Sequence, residues 1–311
     1  MSRILVTGAA GFIGRALCRE LVEHGHTVLG RTRGLAKPIA GVQLEQIGDI
    51  GPQTDWSAHL NRIEIVVHLA NRAHRRAEPP AGEDEPEAAA ALAQAAAARG
   101  VRRFIYVSSV RAMGDATMPG APFRSTDLPF PRDPYGRGKL ASERALQVVS
   151  GETGLELVIL RPPLVYGPGV GANFRALLRL TACRLPLPFG GIENRRSLIF
   201  LDNLADLAAH ACVHPTAAGR VFLARDAFDL STPELIRILA MELGQPARLF
   251  WVPGGVFTIL RGLPLLGPPI SRLTLSLQVD DGETRAALGW RPLISPEIGL
   301  ASTVRAFRAG L

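Results

Sequence analysis

Tyr135 and Lys139 stand four residues apart in Tyr135-Gly136-Arg137-Gly138-Lys139, at the start of a helical stretch. Positions i and i+4 share one helix face. An ammonium beside a phenol favours the phenolate, so this pair suits proton transfer to or from a carbinol or carbonyl. With three tyrosines and two lysines (Lys37 and Lys139) in 311 residues, such a pair arises by chance about 0.02 times. All other basic residues, 33 of 35, are arginines. A compact ammonium that can donate to ribose hydroxyls and tune a phenol is not replaced by a planar guanidinium. Ser108-Ser109 closes an apolar run, at the strand end where open α/β sheets place their ligands, and Ser109 is the hydroxyl expected to bond a substrate oxygen.

A second constellation is glycine-rich. Thr7-Gly8-Ala9-Ala10-Gly11-Phe12-Ile13-Gly14 lies between an apolar run and an amphipathic one. In that context Gly8, Gly11 and Gly14 let the backbone approach a pyrophosphate at a helix N-terminus. The next strand ends in Gly30-Arg31-Thr32-Arg33, without an acid. An acid there would read the ribose hydroxyl of NAD, whereas an arginine suits the 2′-phosphate of NADP. Arg33, with Arg31 as second choice, therefore tips the expectation from NAD toward NADP.

The elements that must position these groups alternate. Strands are expected at Ile4–Thr7, His26–Leu29, Val42–Ile47, Ile63–Leu69, Arg103–Ser108 and Leu155–Leu160. Helices are expected at Phe12–Glu23, at Pro86–Arg99 stopped by Gly100, and at Pro134–Ser150 with Asp133 as N-cap. Near-continuous apolar strands separated by helices predict an α/β fold, a Rossmann-like doubly wound parallel sheet with a smaller C-terminal substrate-binding domain. The expected division is a dinucleotide-binding domain over 1–164, rejoined by about 197–230, with 165–196 and 231–311 forming the substrate-binding part. Its helices are expected at Phe174–Cys183, Leu204–Val213, Pro233–Leu243 and Pro296–Phe307.

Composition excludes several classes. At 47% hydrophobic and 20% charged residues, the chain is neither disordered nor a disulfide scaffold. A net charge of +7 invites a nucleic-acid reading, but the arginines are scattered and no basic run of five occurs, so no nucleic-acid partner is expected. Cys18, Cys183 and Cys212 show no CxxC spacing and read as core residues of a protein in a reducing compartment; no metal site is expected. Met1 leads straight into a strand, without a signal peptide, and Gly255–Leu277 is too interrupted by Pro, Gly and Arg to span a membrane. A cytoplasmic protein with no membrane partner is the expectation.

The ordered set Thr7–Gly14, Gly48-Asp49-Ile50, His68-Leu69-Ala70, Tyr106-Val107-Ser108-Ser109, Tyr135–Lys139 and Arg161-Pro162-Pro163-Leu164-Val165-Tyr166-Gly167-Pro168-Gly169 resembles the extended short-chain dehydrogenase/reductase family, in its nucleotide-sugar epimerase/dehydratase branch. The later segment Arg196–Ile199 with Asp202–Ala205 resembles the part that clamps the nucleotide diphosphate there. The resemblance implies a catalytic trio of Ser109, Tyr135 and Lys139. It places the dinucleotide on Gly8, Gly11, Phe12, Ile13, Gly14, Arg33, Asp49, Ile50, Leu69, Ala70, Tyr135, Lys139, Pro162 and Leu164. It gives Ser109, Asn173, Arg196 and Arg272 to a nucleoside-diphosphate sugar.

The implied activity is NAD(P)-dependent hydride transfer at C4 of that sugar, foremost a UDP-sugar 4-epimerase. The alternatives are an NADPH-dependent 4-keto-sugar reductase or a dehydratase, and a non-catalytic NAD(P)-binding regulator. A homodimer through the 88–99 and 134–150 helices is also implied. The chain departs from the family in one element: an Asn-Val-x-Gly-Thr stretch is replaced by Glu85-Pro86-Glu87-Ala88-Ala89, after a shortened segment His74–Asp84. Acids there read as a solvated helix start favoured by the helix dipole.

Overall fold

The computed structural model describes residues 1–70 and 84–310. All of the shortened segment 74–84 except Asp84 lies outside the described residues. In chain order the first elements are β1 (Arg3–Thr7), α1 (Phe12–Glu23), β2 (Thr27–Thr32), β3 (Val42–Gln46), β4 (Ile65–His68), α2 (Glu85–Ala98), β5 (Arg103–Val107), α3 (Pro134–Thr153) and β6 (Glu156–Arg161). There follow β7 (Leu164–Tyr166), α4 (Ala172–Ala182), β8 (Leu198–Phe200), α5 (Leu201–Val213), β9 (Arg220–Leu223), α6 (Thr232–Glu242), α7 (Gly254–Arg261), α8 (Gly267–Thr274), α9 (Gly282–Leu288) and α10 (Pro296–Ala309).

Seven parallel strands run in the order β3-β2-β1-β4-β5-β6-β9. From β1 the chain winds outward one way through β2 and β3, then restarts at β4 and winds the other way. The crevice between the carboxyl ends of β1 and β4 is thus the switch point at which such sheets bind ligands. All residues of β4 and β5 are buried, as strands covered on both faces are; apart from His68 and Arg103 at their ends they are apolar or aromatic.

Two cores flank the sheet. Leu17, Leu21, Leu204 and Leu207 of α1 and α5 cover one face, and Leu92, Ala96, Leu146 and Val149 of α2 and α3 cover the other. A third core joins Phe174 and Leu178 of α4, Ile236 and Leu239 of α6, and Leu300 and Val304 of α10 around Tyr166 and Phe200. Backbone bridges Arg196–Leu230, Arg196–Leu277 and Leu187–Leu249 tie this later part of the chain together.

Several details depart from the sequence expectations. The second strand extends to Thr32, so Arg31 lies inside the sheet. Register places it on the face opposite Gly30, buried, with its guanidinium 3.0 Å from Glu45. Cys183, expected in the core, is exposed at the end of α4, while Cys18 and Cys212 are buried. Strands β7 and β8, only three residues each, form a small parallel sheet of their own. Among the described residues no helix is long and apolar enough to cross a membrane.

Candidate active site

The glycine loop departs from β1 with Gly8 at φ +71°, a left-handed conformation open to glycine. A Cβ on Gly8 would come within 3.0 Å of the Ala70 backbone, so the turn nests directly against the end of β4. A Cβ on Gly14 would meet the Gly8 carbonyl at 2.2 Å. Absence of these side chains brings α1 down onto the loop. Gly11 is the N-cap of α1 and no side chain caps it, which leaves the helix start available to an oxyanion. Beneath the loop Thr7 Oγ1 and His68 Nδ1 lie 2.8 Å apart, joining β1 to β4. Burial and the nearby Lys139 push the His68 imidazole down to about 3, so it is neutral.

This cradle fits a dinucleotide pyrophosphate, with Phe12 and Ile13 in the first turn and Leu69 and Ala70 on the β4 side. At its outer end Arg33 and Asp49 form a 3.2 Å ion pair on the surface, and Ile50 packs against the core beneath. Arg31, engaged with Glu45 inside the sheet, is not presented beside Arg33.

Helix α3 begins as the sequence anticipates: Asp133 Oδ1 accepts from the Gly136 amide at 3.2 Å and Pro134 occupies the first turn. A Cβ on Gly136 would lie 2.3 Å from the Arg111 carbonyl, so glycine there lets α3 press against the loop that follows β5. That approach brings Tyr135 and Ser109 to the wall of one cavity of about 1870 Å³. Ser109 Oγ accepts the Arg111 amide at 3.2 Å, which fixes its rotamer at the rim. Ser108 instead turns inward and bonds the Glu143 carboxylate, itself paired with Arg161 at 2.5 Å. The buried Ser108–Glu143–Arg161 set anchors the carboxyl ends of β5 and β6 to α3.

Lys139 is almost fully buried, on the same helix face as Tyr135. Its Nζ donates to Glu85 Oε1 at 2.8 Å and to the Tyr106 hydroxyl at 3.0 Å. Burial works against the ammonium, but Tyr106, Glu85 and Tyr135 outweigh it, and the Lys139 pKa is raised. Glu85 is therefore no solvated helix start: its side chain is only 11% exposed and lies against Lys139 at the cavity edge. Burial pushes the Tyr106 phenol up to about 12 despite the ammonium beside it, so Tyr106 serves as a neutral hydrogen-bonding support. Sequence reasoning placed Tyr106 in a motif without giving it this contact.

Asn173, Arg196, Arg261 and Arg272 also line the cavity, as does Leu164 of β7. Pro162, one residue past β6, is buried, and its carbonyl accepts the Val110 amide. Arg272 donates to Asn173 Oδ1 at 3.1 Å, and Arg196 to the Leu275 carbonyl at 2.9 Å. Burial, Arg111 and Arg272 bring the Arg196 pKa down to about 10, leaving it charged at neutral pH. Arg111 is matched by Asp133 and Asp115; among the described residues Arg196 and Arg272 have no carboxylate partner. Such uncompensated guanidinium groups suit a diphosphate.

Asn203, in the segment resembling a diphosphate clamp, does not reach the cavity. It is buried between Asp226 and the Ile294 carbonyl, in a knot with Tyr166 that fixes α5.

A sequence profile of the NAD dependent epimerase/dehydratase family matches residues 4–223. A UDP-glucose 4-epimerase from Vibrio cholerae is 39% identical over 312 residues, covering 98% of this chain and 95% of that protein. Among solved structures, UDP-glucuronic acid 4-epimerase from Bacillus cereus, in complex with a UDP-deoxyfluoroglucuronic acid and NAD, superposes with a TM-score of 0.80 at 22% identity, covering 99% of this chain and 100% of that one. The UDP-glucose 4-epimerase of Thermotoga maritima, solved with UDP-glucose, gives 0.78 at 24% identity and 99% coverage of both chains.

Proposed function

The chain belongs to the NAD dependent epimerase/dehydratase family, and from that premise we propose that it is a UDP-sugar 4-epimerase using NAD. The observation that carries the proposal is one cavity lined by Ser109 and Tyr135 together with Arg196 and Arg272. The reading of 1–164 with about 197–230 as dinucleotide-binding, and of 165–196 with 231–311 as substrate-binding, is part of it. So is a homodimer through α2 and α3.

In this mechanism Arg196, Arg272 and Asn173 hold the diphosphate and thereby aim the sugar ring at Tyr135. Ser109 Oγ bonds the C4 oxygen. The Tyr135 phenolate takes the C4 hydroxyl proton as that carbon becomes a ketone, and returns it after the ring has presented its other face. Lys139, held by Glu85 and Tyr106, keeps a positive charge below the phenolate and stabilises it. Gly8–Gly14, Leu69, Ala70, Pro162 and Leu164, with Asp49 and Ile50 toward the adenosine, would hold NAD, which when bound would supply a hydride acceptor and donor for C4.

NAD is proposed over the NADP that Arg33 suggested. Arg33 is already paired with Asp49, Arg31 is committed to Glu45, and the similar solved structures hold NAD.

The test is chromatographic. Purified protein incubated with UDP-glucose or UDP-N-acetylglucosamine should form the C4 epimer with no net consumption of added nucleotide. Stoichiometric NADPH oxidation with a 4-keto sugar and no epimerisation would instead establish the reductase. Tight dinucleotide binding without turnover of either kind would establish the non-catalytic reading.

A further inference from the structure

Helices α7 and α8 pack against each other, and this hairpin, with the residues that lead into α7, exposes a run of large apolar side chains close together in sequence. Trp251 is 69% exposed, Ile259 72% and Leu265 90%, with Phe250, Leu263 and Leu266 exposed around them. Helix α7 turns Phe257 and Leu260 toward the third core while Val256 and Ile259 point outward. It is thus apolar on both faces, which a short helix in water has no reason to be. Trp251 is not a loose side chain, since its ring rests on Gly191, where a Cβ would lie 2.4 Å away.

Within the hairpin's own stretch of sequence the charge has one sign, the exposed Glu193 near Gly191 lying outside it. From Leu243 to Val279 the chain holds Arg248, Arg261 and Arg272 and no carboxylate. Among the described residues none of the three forms a salt bridge; Arg261 donates only to Thr258 and Thr274 hydroxyls. Protruding leucine and isoleucine, an exposed indole, and arginines free of acids make the composition of an element that lies in the interface of an anionic bilayer. A protein partner of opposite charge would meet three arginines. A bilayer satisfies the apolar side chains at acyl-chain depth and Arg248 and Arg261 at the phosphates, while Arg272 stays with the cavity.

We propose that the α7–α8 hairpin docks this protein peripherally on an anionic lipid surface. The segment too interrupted to span a membrane is suited to lie on one. Arg261, Leu263, Pro264 and Arg272 also line the cavity, so docking sets the cavity mouth beside the headgroups. The inference rests on the hairpin alone and holds whatever the reaction in the cavity.

Trp251 provides the measurement, because the other two tryptophans, Trp56 and Trp290, are buried. Full-length protein is titrated at low salt with vesicles of phosphatidylcholine alone and of phosphatidylcholine with phosphatidylglycerol, followed by tryptophan emission and co-sedimentation. With the anionic vesicles the emission should shift to the blue and the protein should sediment; added salt should weaken both. Ile259→Glu with Leu265→Glu should reduce vesicle affinity roughly tenfold or more, at unchanged melting temperature and unchanged turnover of soluble substrate. Absence of binding to anionic vesicles at low salt would overturn the proposal. So would a Trp251 blue shift that depends on protein concentration without lipid, since that assigns the patch to a second copy of the chain.

Discussion

Lys139 is the second lysine of a chain that otherwise uses arginine, and its surroundings explain why a guanidinium would not do. Its Nζ is buried between Glu85 Oε1 and the Tyr106 hydroxyl, a site where one compact ammonium serves both acceptors. Replacing Glu85 by Leu leaves that ammonium buried beside a phenol alone, and should cost about 3–5 kcal/mol of stability. Glu85→Leu combined with Lys139→Met should cost less than the two single changes summed, because the second removes the charge the first exposes. Urea unfolding of the four proteins checks this, and strict additivity would dissociate Glu85 from Lys139. For the reaction itself the expectation falls on Tyr135→Phe. Turnover should drop by about 10²–10⁴-fold while calorimetric binding of the UDP-sugar stays near the native value. Native-like turnover in the variant would remove Tyr135 from proton transfer.

At the scale of elements, the packing of α1 on the glycine loop decides whether a dinucleotide can bind. A methyl group on Gly14 has no flexible neighbour to displace, because the atoms it meets are the Gly8 carbonyl and the Ala9 backbone. Gly14→Ala should therefore lift α1, lower the melting temperature and abolish NAD binding seen by fluorescence titration; retained affinity would show that the loop does not depend on this contact. The strand junction below adds a pH dependence. His68 is neutral and buried, with its pKa brought down from 6.5 to about 3, so the unfolded chain binds the proton more readily. The stability it contributes is present above pH 6.5 and is lost as pH falls toward 3, at about 1.4 kcal/mol per unit. His68→Asn should flatten that part of a stability-against-pH curve, and an unchanged slope would assign the acid loss to other groups.

The alternation of apolar strands and helices made the parallel sheet, the glycine turn and the Asp133 cap legible in the sequence. The Glu85–Lys139 pair was not, since 54 positions separate the two and only the packing of α2 on α3 joins them. Strands β7 and β8 were missed because three residues carry no periodicity, and Arg31 because buried arginines look like solvated ones until Glu45 is placed beside them.

At the scale of the whole molecule, the charge of +7 separates into duties. Arg103 is buried and donates to the Ala211, Cys212 and His214 carbonyls, closing the C-terminus of α5. Arg161 answers Glu143, and Arg111 answers Asp133. The uncompensated arginines of the cavity and hairpin occupy the later part of the chain, away from the outer faces of α2 and α3. Those faces are the ones the proposed homodimer would use. Ala91, Gln94 and Ala98 follow one another along the outside of α2, and Arg144 with Val148 along the outside of α3, where Val148 is well exposed. Small side chains along two neighbouring helices allow a second pair of helices to approach closely, and burying Val148 with the alanines gives that approach an apolar driving force. Sedimentation equilibrium should therefore give a homodimer. Ala91→Glu with Val148→Glu places four carboxylates across a two-fold contact and should yield a monomer with its cavity intact, since neither residue lines it. A native chain that stays monomeric at every concentration would mean that these faces meet water.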